Sequence, residues 1–101
     1  MSQEKIIVKI DPDLEELIPG FLENRLKDVN NLKAASEKDD FSTLRSIGHS
    51  LKGVGGGYGF AMITELGAEI ESSSKSNDIN KIKQCIAELE EYLTRIDVQY
   101  E

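Results

Sequence analysis

The stretch FSTLRSIGHSLKGVGGGYGF, Phe41 to Phe60, decides how the chain is read. Phe41, Leu44, Ile47, Leu51, Val54 and Tyr58 recur at spacings of three, three, four, three and four. That is the period of an amphipathic helix. The same stretch holds the only histidine, His49, and six of the eight glycines. Glycine inside a helix costs roughly 1 kcal/mol against alanine. The question is why a helix accepts that cost beside its one imidazole.

On a helical wheel, His49 falls about 170° from the centre of the apolar cluster. The imidazole is therefore expected to face water. Ser42, Arg45, Ser46, Lys52, Gly53, Gly56 and Gly57 share the outer half of the wheel with it. Arg45 and Lys52, at i−4 and i+3, bring positive charge within reach of the ring. A lone exposed histidine is ordinarily a surface residue, and a lysine beside it is ordinarily solvated. The combination points further. A neutral imidazole is a competent nucleophile near neutral pH. A neighbouring ammonium stabilises a phosphoryl group by charge-assisted hydrogen bonding. The glycines are read as clearing a docking surface around a nucleophile, with Gly59 as the break that ends the helix.

Outward from this helix the pattern stays helical. Asp39 or Asp40 caps its start. Before it, Phe21, Leu22, Leu26, Val29 and Leu32 form an apolar face ending near Ser36 to Asp39. Asp11, Pro12 and Asp13 signal an earlier, short helix carrying Leu14, Leu17 and Ile18, with a break at Pro19 and Gly20. After the glycines, Ile63, Leu66, Gly67 and Ile70 mark another helix, closed by SSSKSND. Asp78 or Asn77 caps the last one. Its seam of Ile79, Ile82, Ile86, Leu89, Leu93 and Ile96 is the most regular in the chain. Residues 1–10 are expected to be an extended arm in which Ile6, Ile7, Val8 and Ile10 pack on the body; no strand alternation is read after residue 10. The expected fold is all-α: an antiparallel up-down-up-down four-helix bundle with a short N-terminal helix and an extended N-terminal arm. One domain spans residues 1–101, with its helical body at about 11–96.

The totals narrow the function classes. The chain has 101 residues, 39% hydrophobic and 31% charged, enough for one modest core. A formal net charge of −7 disfavours nucleic acid and anionic membranes as partners. Cys85 is the only cysteine. One cysteine and one histidine do not complete a zinc site, so no metal site is expected and Cys85 is read as a small buried residue. The opening MSQEKIIVKID lacks the apolar run of a signal peptide, and no segment is long enough to span a bilayer. A cytoplasmic, monomeric protein is expected.

His49-Ser50-Leu51-Lys52-Gly53, followed by Gly59, resembles the H-x-L-K-G-x-x-x-x-x-G signature of histidine phosphotransfer (HPt) domains. The helical layout is similar from about residue 11 to residue 96. The resemblance implies a phosphorelay carrier that takes a phosphoryl group from a receiver domain's phospho-aspartate and passes it to another receiver. It implies that His49 accepts the group on Nε2, that Lys52 balances its charge and that Gly53 leaves room for it. Arg45, Ser46, Gly56 and Gly57 would meet the receiver. Mg²⁺ and the acidic pocket would belong to that receiver, so the chain itself would need no cofactor, kinase site or nucleotide site. A hybrid histidine kinase is a further possible partner. Where many members carry Ser or Ala after the signature's first glycine, this chain has Val54-Gly55-Gly56-Gly57-Tyr58. Some members orient the imidazole with a polar side chain on a neighbouring helix; the sequence alone does not identify that residue here.

Other readings of the glycines fail on chemistry. A Walker loop needs its lysine after the glycines, and Lys52 precedes them. A dinucleotide fold needs a strand where FSTLRSIGHSLK reads as helix. Gly57-Tyr58-Gly59-Phe60 matches the middle of an RNA-reading motif, but lacks its leading cation and its sheet. Tyr58 and Phe60 are read as core and turn-packing residues. A hydrolase lacks a nucleophile–base pair. The surviving alternative is a helical interaction module, a degenerate HPt fold without phosphoryl chemistry.

Overall fold

The caps and breakers in the sequence set the helix limits. A computed structural model of the chain describes residues 4–101. Strand β1 (Ile6–Ile10) leads through a three-residue 3₁₀ turn (Pro12–Leu14) into helix α1 (Ile18–Glu37). Then come α2 (Phe41–Gly55), a second 3₁₀ turn (Gly56–Tyr58), α3 (Ala61–Lys75), α4 (Ile79–Arg95) and strand β2 (Ile96–Tyr100). Asp40 caps α2, its Oδ1 accepting from the Thr43 amide at 3.2 Å. Asp78 caps α4 by accepting from Lys81 N at 3.2 Å. Their predecessors, Asp39 and Asn77, end the preceding helices with positive φ of 51° and 56°. Asp and Asn are the non-glycine residues that visit this region most readily. In each pair, then, the first residue stops one helix and the second starts the next.

The four helices bundle with α1 against α2 and α4, and α3 against the same two. Val29, Leu32, Leu44, Leu51, Ile63, Ile70, Ile82 and Leu89 are among the side chains that fill the centre. Each such burial contributes roughly 1.5–3 kcal/mol. Phe60 is fully buried and Phe21 stacks on it at 5.2 Å and on Tyr58 at 4.4 Å. The aromatic pair of GYGF thus packs the turn against α1, as the sequence suggested. Cys85 is buried on α4, and loss of solvation pushes its thiol pKa up. No helix among the described residues is long and apolar enough to cross a membrane.

Three expectations need correction. The short N-terminal helix is only the 3₁₀ turn, and Pro19 does not break a helix. It sits in the first turn of α1, where a missing amide donor costs nothing. Leu17, at the cap before α1, is exposed, and so is Leu26, because α1 buries the narrower stripe of Ile18, Phe21, Val29, Leu32 and Ala35. And the chain after α4 is a strand: β2 pairs in parallel with β1, from Ile6↔Ile96 to Ile10↔Tyr100. The glycine φ of 92° at Gly59 matches its expected role as the break. The arm does pack on the body through Ile6, Val8 and Ile10, while Ile7 is exposed; residues 1–3 of that expected arm lie outside the described residues.

The remaining glycines divide by what a Cβ would meet. At Gly53 and Gly57 it would meet nothing within 4 Å. At Gly56 it would make an ordinary 3.6 Å contact with Thr64 Oγ1. Gly48, Gly55 and Gly67 are different, because α2 and α3 approach there closely enough to exclude a Cβ. The wheel placed Gly53, Gly56 and Gly57 on the outer face, and there no close contact excludes a side chain; Gly48 and Gly55 of the same stretch instead serve helix packing.

Candidate functional site

Helix α2 presents His49 on its solvent side because Leu44, Gly48, Leu51 and Gly55 occupy the side turned to the core. The imidazole side chain is 69% exposed. Its Nδ1 lies 3.0 Å from Oε2 of Glu71, a residue of α3 whose side chain is only 12% exposed. The other carboxylate oxygen, Oε1, lies 3.1 Å from Nζ of Lys52. One buried acid on α3 therefore holds both the ring and the ammonium of α2.

The electrostatics fix the direction of these bonds. The Lys52 ammonium, and then the His49 ring, hold the Glu71 carboxyl below the usual carboxylate range against the opposing effect of desolvation. Glu71 is thus ionised at neutral pH and can only accept. Nδ1 must be the donor. In a neutral imidazole that leaves Nε2 as the unprotonated nitrogen. Nε2 has no hydrogen-bond partner among the described residues, so its lone pair is available to an incoming group.

The other predicted residues are not all drawn into this cluster. Gly53 lies exposed one turn beyond His49, with open space where a side chain would stand. Arg45 and Ser46 are exposed one turn before it and make no side-chain hydrogen bond or ion pair among the described residues. Gly56 and Gly57 are exposed beyond the end of α2, and the Gly56 amide donates to Thr64 Oγ1 at 2.7 Å. His49 and Lys52 meet through Glu71; the rest surround them as an uncluttered face.

Glu71 is the residue that sequence reasoning missed. Its signal was present. Ile63, Leu66, Gly67, Ile70, Glu71 and Ser74 recur at core spacing, which puts a carboxylate on a buried stripe. Such a group is rarely buried without a partner.

Among curated proteins and solved structures, nothing matches the chain. A family model described as Hpt domain, however, matches residues 16–99. That span takes in all four helices and β2 up to Gln99, with the exposed ring and its buried acid near its middle. The chain belongs to the Hpt domain family.

Proposed function

We propose that this protein is a phosphocarrier in which His49 accepts a phosphoryl group on Nε2 from a receiver domain's phospho-aspartate and donates it to another receiver. Members of the family carry out histidine phosphotransfer in two-component phosphorelays, with receiver domains and kinases as partners. The observation that carries the reading to this residue is the exposed His49 ring, bonded through Nδ1 to an ionised carboxylate.

In the forward step the Nε2 lone pair attacks phosphorus in line with the aspartyl oxygen. The N–P bond forms and the acyl O–P bond breaks, returning its electron pair to the receiver's carboxylate. Such transfers pass through a loose transition state, so positioning and charge compensation dominate. Glu71 supplies the first by holding Nδ1, and it also balances the positive charge that the ring gains. Lys52, held beside the ring by the same carboxylate, is the nearby cation for the phosphoryl oxygens. Gly53 and Gly57 leave the approach open, and Arg45, Ser46 and Gly56 are assigned to the receiver's footprint. Mg²⁺ is assigned to the receiver, and no kinase or nucleotide chemistry to this chain.

We read the protein as one cytoplasmic, monomeric domain. Its helices are joined by short connections, Lys38–Asp40 and Ser76–Asp78 among them, which favours antiparallel up-down-up-down order. The test is incubation with a phosphorylated receiver domain. Acid-labile, base-stable label should appear on the wild type and be absent from a folded His49→Gln variant. Equal labelling of both would refute the assignment.

A further inference from the structure

Two glycines on facing helices have no conformational reason to be there. Gly48 on α2 and Gly67 on α3 both lack positive φ, which among the glycines occurs only at Gly59. Glycine is the poorest helix former short of proline. What the two positions share is lack of room. A Cβ at Gly48 would stand 2.8 Å from the Glu71 amide nitrogen and 2.9 Å from the Gly67 carbonyl oxygen. A Cβ at Gly67 would stand 2.5 Å from the Lys52 amide nitrogen, 2.7 Å from Leu51 Cβ and 2.8 Å from the Gly48 carbonyl oxygen. These neighbours are backbone atoms and a core Cβ. They cannot swing aside as the tip of a long side chain can.

The place of this contact matters as much as its closeness. Gly48 directly precedes His49, and Gly67 lies one turn before Glu71. The backbones therefore meet at the level of the ring and its acid. Relieving a 2.5 Å clash to ordinary contact needs a shift of about 1 Å in a close-packed interior. The Nδ1–Oε2 distance is 3.0 Å. The same shift would take it out of the hydrogen-bonding range.

We propose that Gly48 and Gly67 are positioning residues: they set the α2–α3 spacing at which the Glu71 carboxylate reaches Nδ1 of His49 and leaves Nε2 unprotonated. Their part in phosphoryl transfer rests on the function proposed above. Their part in ring geometry does not, and is measured on the unphosphorylated protein.

The experiment uses the full chain and its single histidine, whose ring nitrogens give unambiguous long-range ¹H–¹⁵N signals. In the wild type the neutral ring should carry its proton on Nδ1. In Gly67→Ala, with helicity retained, that preference should be lost. Receiver-dependent transfer should fall about ten- to hundredfold, as for a 1 Å misplacement of a reacting group. In a Glu71→Ala background, Gly67→Ala should cause little further loss, because there is no carboxylate left to position. A persistent Nδ1–H tautomer in folded Gly67→Ala overturns the proposal. So does an equal loss of transfer in both backgrounds, which marks a general structural defect. Should Gly67→Ala fail to fold, Glu71→Asp reads the same distance requirement by shortening the acid without moving the helices. Loss of the tautomer there supports the proposal, and its retention overturns it. A tautomer that responds as stated in a protein that never accepts label would sink the phosphocarrier reading and leave the spacing argument standing.

Discussion

Replacing Glu71 by glutamine tests the site with almost no change of shape. In the native protein each carboxylate oxygen serves one donor: Oε1 takes Lys52 at 3.1 Å and Oε2 takes His49 Nδ1 at 3.0 Å. Glu71→Gln leaves a single oxygen. Lysine is a donor only, so the ammonium claims that oxygen and the new amide NH₂ faces Nδ1. Nδ1 must then accept, which moves the ring proton to Nε2 and removes the lone pair needed for attack. Charge-assisted hydrogen bonds are also roughly twice as strong as neutral ones, so the ring is held less firmly. Loss of the partner that orients a metal-ligating histidine costs on the order of 10–100-fold, and the orienting bond to Nδ1 is of the same kind. We expect a fall of that size in the rate of transfer from a phosphorylated receiver domain, read by rapid quench, with the circular dichroism spectrum unchanged. ¹⁵N spectra should show the proton on Nε2. Wild-type transfer together with a wild-type tautomer would refute the reasoning; Glu71 would then be only a structural partner of Lys52.

Further predictions address the remaining links. Lys52→Ala removes the largest influence lowering the Glu71 pKa, so carbonyl ¹³C titration should show the midpoint rising toward the usual carboxylate range. The same variant should shorten the lifetime of the phosphorylated state, and an unchanged lifetime would remove Lys52 from the chemistry. Because the Glu71 pKa is depressed in the folded protein, its contribution to stability is complete above the ordinary carboxylate value. It should disappear as pH falls through the lowered value, and the Glu71→Gln variant should lack this part of the acid sensitivity in denaturant titrations. Gly59→Ala forces a side chain into φ of 92° and puts its Cβ 2.8 Å from Ile10 Cδ1. It should cost about 1–3 kcal/mol by urea unfolding. Leu51→Ala, at a fully buried position of α2, should cost about 2–5 kcal/mol by the same assay.

The features readable from the sequence were those set by local periodicity. The seam of α4 and the outward position of His49 follow from side chains within a few turns of one another. The caps, at Asp39 or Asp40 and at Asn77 or Asp78, follow from oxygen-bearing side chains just before an apolar run; the structure selects Asp40 and Asp78. What escaped depends on distant partners. Ile96-Asp97-Val98-Gln99-Tyr100 does alternate, but its first residue continues the α4 seam and its pairing strand lies at the other end of the chain. A parallel pair requires a long crossover, and here the four helices provide it. Glu71 reads as an acid on a buried stripe; only the approach of α3 to α2 shows that His49 and Lys52 satisfy it. The glycines misled for a related reason. Gly53 and Gly57 are bare surface as the wheel suggested, while Gly48 and Gly55 lie against α3, which a single-helix wheel does not contain.

The most direct test of the account is the site of the phosphoryl group itself. After transfer from a phosphorylated receiver domain to ¹⁵N-labelled protein, ³¹P–¹⁵N coupling should join phosphorus to Nε2 of His49, with Nδ1 still protonated toward Glu71. A phosphorus coupled to Nδ1, or a phosphoryl group found on an oxygen of any other residue, would contradict it.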